Sequence, residues 1–282
     1  TKYGHVAANL VASANWAREL IHPDDQSKVD TAMARVLDRH AAGASIEFRM
    51  RTANDAWRWV ENLYIPVRDD DGRLLEVEGI IIDITERKLA EEKIALLART
   101  DGLTGLANRA TLIERLHQAF AAARRGATAF AMFYLDLDHF KRINDSLGHP
   151  VGDLLLKEVA DRIRACVREN DVVARLGGDE FAILQLEVSD PTHAAALAAK
   201  VRDALVLPYA LAGNDVRVSV SIGISLYSPL CTSADSLLTQ ADMALYRSKE
   251  KGRNQYHFHS EEINREVVER MTIASELRTA ID

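Results

Sequence analysis

The sequence predicts an α+β chain of two domains, the second built in the order β-α-β-β-α-β. The length of 282 residues favours two domains over one. All three tryptophans, Trp16, Trp57 and Trp59, fall in the first part of the chain, so the two parts differ in composition. From Phe130 onward, apolar strand-like runs alternate with helix-spaced segments in the order typical of ferredoxin-like folds.

The first domain is predicted at residues 1–85 as a sheet packed against helices. Residues 27–39 have helical spacing through Val29, Met33 and Val36. Strands are predicted at 46–51, 58–67 and 74–84. Three aspartates and Gly72 supply turn chemistry between the last two strands.

The second domain is predicted at residues 100–260. Its helices are predicted at 108–125, 153–169, 194–206 and 234–249. Its strands are predicted at 130–135, 172–176, 181–186 and 216–226, with a short one near 256.

Amphipathic helices are predicted on either side of the second domain. The linker helix at 86–99 is charged and also contains Leu89, Ile94, Leu96 and Leu97. Pairing across a dimer and a solvated linker fit this pattern equally well. The segment 261–282 has helical spacing and forms either a lead-in to a further domain or a terminal helix on a dimer.

Composition limits the classes of partner. The 35 basic and 42 acidic side chains give a formal charge of −7, which argues against broad nucleic-acid binding. No apolar run approaches the roughly 20 residues that span a bilayer. Cys166 and Cys231 have no metal-site spacing, so we expect a reduced, cytoplasmic chain. The chain opens on Thr1 rather than Met, and we expect a fragment whose membrane anchor, if any, lies outside it.

Acidic residues end two neighbouring predicted strands. Asp136 and Asp138 follow the apolar strand at 130–135, and Asp179 and Glu180 follow two glycines in a hairpin. An acidic β-turn is an alternative for the hairpin, since Gly and Asp are common turn residues. The predicted fold nevertheless brings Asp136 beside the hairpin, and clustered carboxylates need a cation. Mg²⁺ prefers oxygen ligands and phosphates, which predicts phosphoryl or nucleotidyl transfer.

Several segments in order resemble the GGDEF diguanylate cyclases. They are Asp101–Arg109, Asp136–Asp145, Gly148–Asp153, Arg175–Phe181, Ser221–Ile224 and Ala241–Tyr246, followed by Lys249 and Gly252–Asn254. The resemblance implies an enzyme that condenses two GTP into cyclic di-GMP and pyrophosphate.

The resemblance also implies a role for individual residues in the metal site. Asp136, Asp179 and the Leu137 carbonyl would hold Mg²⁺, with Mn²⁺ possible, and Glu180 would support the cluster electrostatically. The base that takes the 3′-hydroxyl proton would be one of the acidic pair, and Asp179 is favoured.

The substrate residues follow from the same resemblance. Asn144 and Asp153 would bind the guanine edge, Phe140 would line the substrate site, and Lys141, Lys249 and Arg253 would hold the triphosphate. Each has a local alternative: Asn144 and Asp153 as helix caps, and Lys249 and Arg253 as complements to a helix dipole.

Two further implications concern regulation. The family acts as a homodimer, because each domain holds one GTP. Arg168 and Asp171 resemble its R-x-x-D motif, which binds product cyclic di-GMP and inhibits turnover. The alternative is an arginine in a last helical turn, paired locally with an acid.

The first domain resembles part of a PAS fold with its C-terminal motif. His22–Asp25, Trp57–Trp59, Val67–Asp69, Gly79 and Asp83–Lys88 support this resemblance. We expect it to lack the first strands of that fold. No residue indicates haem or flavin binding, and a sensory or dimerisation role follows.

A second hypothesis is a GTP-binding regulatory domain that controls an adjoining cyclic di-GMP phosphodiesterase (EAL) domain. The helix at 261–282 would then lead into that domain. Relatives that use ATP or make mixed dinucleotides are a further alternative.

Overall fold

The structure, a computed structural model, describes residues 16–38, 42–126, 129–228, 231, 233–267, 269–270 and 273. Two compact units divide the chain, Thr1–Ala95 and Leu96–Asp282. None of the helices in the described ranges is long and apolar enough to cross a membrane.

The first unit is a three-stranded antiparallel sheet with short helices before it. Its elements are helix α1 (Trp16–Glu19), a 3₁₀ turn (Pro23–Asp25), α2 (Gln26–Leu37), β1 (Ala44–Arg51), β2 (Trp57–Arg68) and β3 (Leu74–Asp83). The strands lie in the order β1-β2-β3. Val29 of α2 packs with Phe48, Met50 and Val60 of the sheet. The predicted helix and three strands are confirmed to within two residues, and Gly72 has the positive φ of a turn residue.

Helix α3 (Thr85–Arg99) follows the sheet, as predicted. Three of its apolar side chains are more than half exposed: Leu89 at 59%, Ile94 at 67% and Leu97 at 54%.

The second unit contains helices on both faces of a five-stranded sheet. Its elements are α4 (Arg109–Arg124), β4 (Ala131–Leu137), α5 (Phe140–Leu147), α6 (His149–Cys166), β5 (Val172–Gly177), β6 (Glu180–Gln185), α7 (Pro191–Leu205), β7 (Tyr209–Leu211), β8 (Asn214–Val216), β9 (Val220–Leu226), α8 (Ala234–Glu250) and β10 (Tyr256–Phe258). The strand order is β10-β9-β4-β6-β5, which confirms the ferredoxin-like arrangement with one added edge strand.

Strand β4 is central and contributes to both cores. Phe133 and Leu135 pack in the cluster that contains side chains of α6 and α7. Met132 and Tyr134, on the other face, pack in the cluster that contains side chains of α4 and α8. Because successive side chains alternate along a strand, Asp136, the penultimate residue of β4, lies on the same face as Tyr134.

Two predicted elements of the second unit are wrong in their bounds. The predicted helix at 153–169 begins at His149 and ends at Cys166, and the separate helix α5 was not predicted. Gly148 causes the break, since its φ of +85° ends α5 and turns the chain into α6.

The predicted strand at 216–226 is divided. Val216 ends the small hairpin of β7 and β8, and β9 begins only at Val220. The turn of that hairpin contains Ala212 and Gly213, both with positive φ.

The predicted helix at 261–282 is described in part. Residues 261–267 are helical, Val267 is 1% exposed, and Ile263 packs against the core of the second unit. Most of the remaining prediction lies outside the described residues.

Candidate active site

The acidic residues of two segments lie side by side at one end of the sheet. Asp136 of β4 is the cross-strand partner of Glu180 of β6. The amide of Leu137 donates a hydrogen bond to the carbonyl of Asp179 at 3.3 Å. The predicted convergence of Asp136 with the glycine turn is therefore confirmed.

The turn before Asp179 is open to a ligand. Gly177 and Gly178 have φ values of +148° and +51°. A Cβ atom added at either position would meet no other atom within 4 Å. The backbone is therefore accessible at the point where the two carboxylates begin.

Arg175 fixes this turn. Its guanidinium donates to the carbonyl of Gly178 from two nitrogens, at 3.0 and 2.8 Å, and pairs with Asp101 at 3.0 Å. Asp101 also accepts bonds from the amide and hydroxyl of Thr104. The sequence motifs contain both residues, but their spacing in the chain gives no sign that they pair.

Burial makes Asp136 a strong cation partner. Desolvation raises the pKa of the Asp136 carboxyl, Asp179 and Asp138 raise it further by repulsion, and Lys249 opposes this shift. The ammonium of Lys249 lies 2.7 Å from Asp136 Oδ2, and the carboxylate side chain is 14% exposed. A poorly hydrated carboxylate with negative neighbours favours a bound cation.

Glu180 is held by a residue that sequence reasoning missed. The hydroxyl of Tyr134 donates to Glu180 Oε2 at 3.1 Å. Burial raises the pKa of Tyr134, and the negative charge of Glu180 raises it further, so the hydroxyl remains a donor. The signal is the i, i+2 spacing of Tyr134 and Asp136, which places both side chains on one face of β4.

The acidic side chains alone do not complete the coordination of a divalent ion, so backbone or substrate oxygens would have to supply the other ligands. Among the described residues, no three His, Cys, Asp or Glu side chains are gathered into a metal site. Asp136, Asp179 and the Leu137 carbonyl supply hard oxygen ligands, which suit Mg²⁺ when substrate phosphates complete its shell.

The residues assigned to guanine lie on consecutive helices. Asn144 is in α5, and its buried Oδ1 has no hydrogen-bond partner. Phe140, at the start of α5, is 8% exposed. Lys141 is exposed in the same turn, and Asp153 is exposed in the second turn of α6. Asn144 and Asp153 lie within their helices, so the capping alternative is wrong for both.

Of the three residues assigned to the triphosphate, Lys141 lies in α5, and the other two lie at the end of α8 and in the turn after it. Lys249 is in the last turn of α8 and contacts Asp136. Arg253 follows the helix with φ +59°, and its side chain is 46% exposed. Its Nε lies 3.9 Å from Asp138 Oδ1.

The predicted product site lies at the opposite end of β5 from the glycine turn, roughly 20 Å away along the strand. The carboxylate of Asp171 accepts bonds from the amides of Arg168 and Leu186, both at 3.0 Å. Within the described residues the guanidinium of Arg168 has no partner, and Arg168 lies beyond the end of α6. A cavity of about 280 Å³ is lined by Arg168, Asp171 and Arg164.

Comparison with known proteins identifies two families in the chain. The profile described as "Diguanylate cyclase, GGDEF domain" matches residues 98–255. The profile of the PAS fold matches residues 2–81.

Relatives and solved structures agree with this assignment. The bifunctional diguanylate cyclase/cyclic di-GMP phosphodiesterase MucR of Pseudomonas aeruginosa is 44% identical over 193 residues, which are 68% of this chain and 28% of MucR. The GGDEF domain of TpbB (YfiN) from Pseudomonas aeruginosa is 40% identical with a TM-score of 0.54, covering 55% of this chain and 97% of that one. The GGDEF domain of DgcB from Caulobacter crescentus, solved in complex with c-di-GMP, is 35% identical with a TM-score of 0.54, covering 58% and 94%.

The chain spans between 26% and 39% of the length of eight curated relatives, MucR among them. The profile match nevertheless covers more than half of this chain and includes every site residue described above. The chain belongs to the GGDEF diguanylate cyclase family, and a PAS fold precedes its GGDEF domain.

Proposed function

We propose that the chain is an active diguanylate cyclase, which condenses two GTP into cyclic di-GMP and two pyrophosphates. The observation that supports this most directly is the pairing of Asp136 with Glu180 beside an open glycine turn. Tyr134 holds Glu180, Lys249 holds Asp136, and Arg175 fixes the turn beside them, which is more than a simple acidic β-turn requires.

Substrate binding would use two groups of side chains. Asn144 and Asp153 offer the donors and acceptors that distinguish guanine from adenine. Lys141, Lys249 and Arg253 are cationic donors suited to phosphate oxygens. The unpartnered Oδ1 of Asn144 supports a role in binding, because buried polar atoms are ordinarily hydrogen-bonded.

Asp136, Asp179 and the Leu137 carbonyl would hold Mg²⁺, or Mn²⁺. When bound, the ion neutralises charge on the phosphate oxygens and eases loss of pyrophosphate. The ammonium of Lys249 would then be free to leave Asp136 for the triphosphate.

The chemical step is a nucleotidyl transfer made twice. The 3′-hydroxyl oxygen of one GTP forms a bond to the α-phosphorus of the other, and the bond from that phosphorus to the pyrophosphate oxygen breaks. The 3′-hydroxyl proton passes to the carboxylate of Asp179. Ring closure needs the same step in the opposite direction, so two copies of the domain must face each other.

Regulation would act through two parts of the chain. Product cyclic di-GMP would bind Arg168 and Asp171, where the guanidinium lies beside a cavity. The PAS fold would control the pairing of cyclase domains through α3, which connects the two units in sequence.

The test is an assay of the purified 282-residue chain with GTP and Mg²⁺ at several protein concentrations. We expect cyclic di-GMP, with a rate that rises more steeply than protein concentration where dimers dissociate. We expect Asp179→Ala to lose at least about a hundredfold in kcat, because it removes the base and a metal ligand.

The matched control is Asp215→Ala, which replaces an exposed acid of β8. It should retain the rate, and circular dichroism should show both variants folded. GTP binding without turnover in the unsubstituted chain would instead favour the regulatory hypothesis.

A further inference from the structure

Asp138 is a buried carboxylate that the proposed chemistry does not use. It lies two residues beyond Asp136, and its side chain is 1% exposed. It follows the last residue of β4, and within the described part of the chain its oxygen atoms contact other segments. An ionised side chain so deeply buried needs specific partners to offset its loss of hydration.

Its partners come from two other segments of the second unit. The hydroxyls of Ser219 and Ser221 donate to its two oxygens at 2.6 and 2.7 Å. The backbone amide of Asn254 donates to Oδ2 at 3.1 Å, and Arg253 Nε lies 3.9 Å from Oδ1. The carboxylate therefore joins the start of β9 to the turn that follows α8.

That turn has an unfavourable backbone. Gly252, Arg253 and Asn254 have φ values of +114°, +59° and +49° in succession. Residues other than glycine rarely adopt this region, and such conformations persist where surrounding contacts hold them. Two hydrogen bonds hold the 252–254 turn. The amide of Arg253 donates to the carbonyl of Ser248 at 3.0 Å, and the amide of Asn254 donates to the carboxylate of Asp138.

We infer that Asp138 is a positioning residue, which holds the 252–254 turn so that Arg253 presents its guanidinium to the triphosphate. The carboxylate restrains the Asn254 amide and attracts the Nε side of the guanidinium. The terminal nitrogens of Arg253, which is 46% exposed, are left for an anionic ligand. This inference rests on the proposed function, because Arg253 is assigned to GTP.

The kinetic test is a double-mutant cycle on the full chain with GTP and Mg²⁺. We expect Asp138→Asn to raise KM for GTP about tenfold while kcat changes by less than about threefold. In an Arg253→Ala background the same change should add less than about twofold to KM, since the two residues act through one contact. Equal effects in both backgrounds, or a fall in kcat alone, would overturn the inference.

A second measurement needs no ligand. Amide hydrogen exchange at Asn254 should quicken by about tenfold or more in Asp138→Ala, because this substitution removes both side-chain oxygens that could accept from the amide. Unchanged protection at Asn254 overturns the inference whatever the kinetics show. If the unsubstituted chain neither binds GTP nor makes product, the proposed function fails, while this exchange result still decides whether Asp138 holds the turn.

Two further variants separate positioning from general destabilisation. Ser225→Ala removes a different buried hydroxyl of β9, which donates to Leu237 O, and should leave KM and the exchange at Asn254 unchanged. Ser219→Ala keeps the carboxylate of Asp138 and removes one hydroxyl that donates to it. It can therefore replace the Asp138 variants in both measurements if those variants do not fold. It should raise KM about twofold to threefold and quicken exchange at Asn254; no change in either would count against the inference.

Discussion

The side chain of Asn144 fits against α6 only because residue 152 is glycine. A Cβ atom at Gly152 would lie 1.9 Å from Asn144 Oδ1 and 3.3 Å from the ring of Phe140. The obstructed atom is the end of a mobile side chain, so a larger residue at 152 displaces Asn144 rather than the helix backbone. Gly152 therefore sets the position of a residue assigned to guanine.

We predict that Gly152→Ala raises KM for GTP about tenfold with little loss of stability. Displacing Asn144 removes hydrogen bonds to the base, whereas alanine improves helix propensity by about 1 kcal/mol over glycine. Steady-state kinetics and thermal unfolding would measure the two effects. Combined with Asn144→Ala, the alanine at 152 has space, so it should add nothing to KM; an additive increase would contradict the assignment.

Among single residues, the sequence predicted the acidic side chains that the proposed reaction uses. It missed the side chains that hold those acidic residues and the glycine turn in place. Asp136 and the glycine turn were identifiable because strand order alone brings them together. The contacts of Tyr134, Arg175 and Asp138 depend on strand register and on loops that close over long stretches of chain. No local pattern encodes those distances.

Strand β5 connects the predicted product site to the glycine turn. Asp171 stands before its first residue and Gly177 is its last, so a ligand at Arg168 would act on the same strand that ends at the glycine turn. The side chain of Asp171 already accepts from two backbone amides, whereas the guanidinium of Arg168 donates to no group within the described residues.

We predict that Arg168→Ala retains the initial rate but needs at least about tenfold more cyclic di-GMP for half-inhibition, since it removes a charged donor to phosphate. Initial rates measured with added product would show this. Lys157→Ala, an exposed basic residue of α6, should leave inhibition unchanged. If Arg168→Ala also left it unchanged, Arg168 would have no regulatory role.

Arg49 ties the 3₁₀ turn of the first unit to β1. It bonds Asp25 at 2.8 and 3.0 Å, and the side chain of Asp25 is 3% exposed. These hydrogen bonds hold the pKa of Asp25 below its ordinary value of 3.8. The unfolded chain therefore takes up this proton first as pH falls, so the stabilisation is present above about pH 4 and is lost in stronger acid.

We predict that Asp25→Asn lowers the free energy of unfolding at pH 7 by about 1–3 kcal/mol, and that the difference shrinks below about pH 4. Denaturation followed by tryptophan fluorescence suits this test, because all three tryptophans lie in the first unit. Asp30→Asn, which breaks an exposed pair with Arg18, should cost less than about 0.5 kcal/mol. A difference that persisted in acid would contradict the explanation.

Element type was predictable where apolar periodicity is strong, as in α2, α8 and β4. Helix α5 was missed because its eight residues contain few apolar positions, and only Phe140 is buried. The hairpin of β7 and β8 was merged with β9 because Val216, Val218 and Val220 alternate without interruption. All three are buried, so periodicity alone shows no end to the strand between them.

For the whole molecule, the proposed cyclase activity should depend on how two copies meet, since in that mechanism each domain holds one of the two GTP molecules. Helix α3 presents exposed Leu89, Ile94 and Leu97, an apolar surface that a second copy of α3 would cover. Burying such side chains favours association by about 1.5–3 kcal/mol for each one fully covered. The competing interpretation, a solvated linker, predicts that these residues have no effect on pairing.

We predict that Ile94→Glu raises the dimer dissociation constant about tenfold to a hundredfold, because it places a charge in an apolar contact. Glutamate is a good helix former, so α3 itself should persist. Specific activity should fall at low protein concentration and recover at high concentration, with sedimentation reporting the dimer directly. Ile94→Leu, which keeps an apolar side chain, should behave as the unsubstituted chain. Unchanged dimerisation in Ile94→Glu would show that α3 is a solvated linker. Any pairing of cyclase domains would then have to use other surfaces.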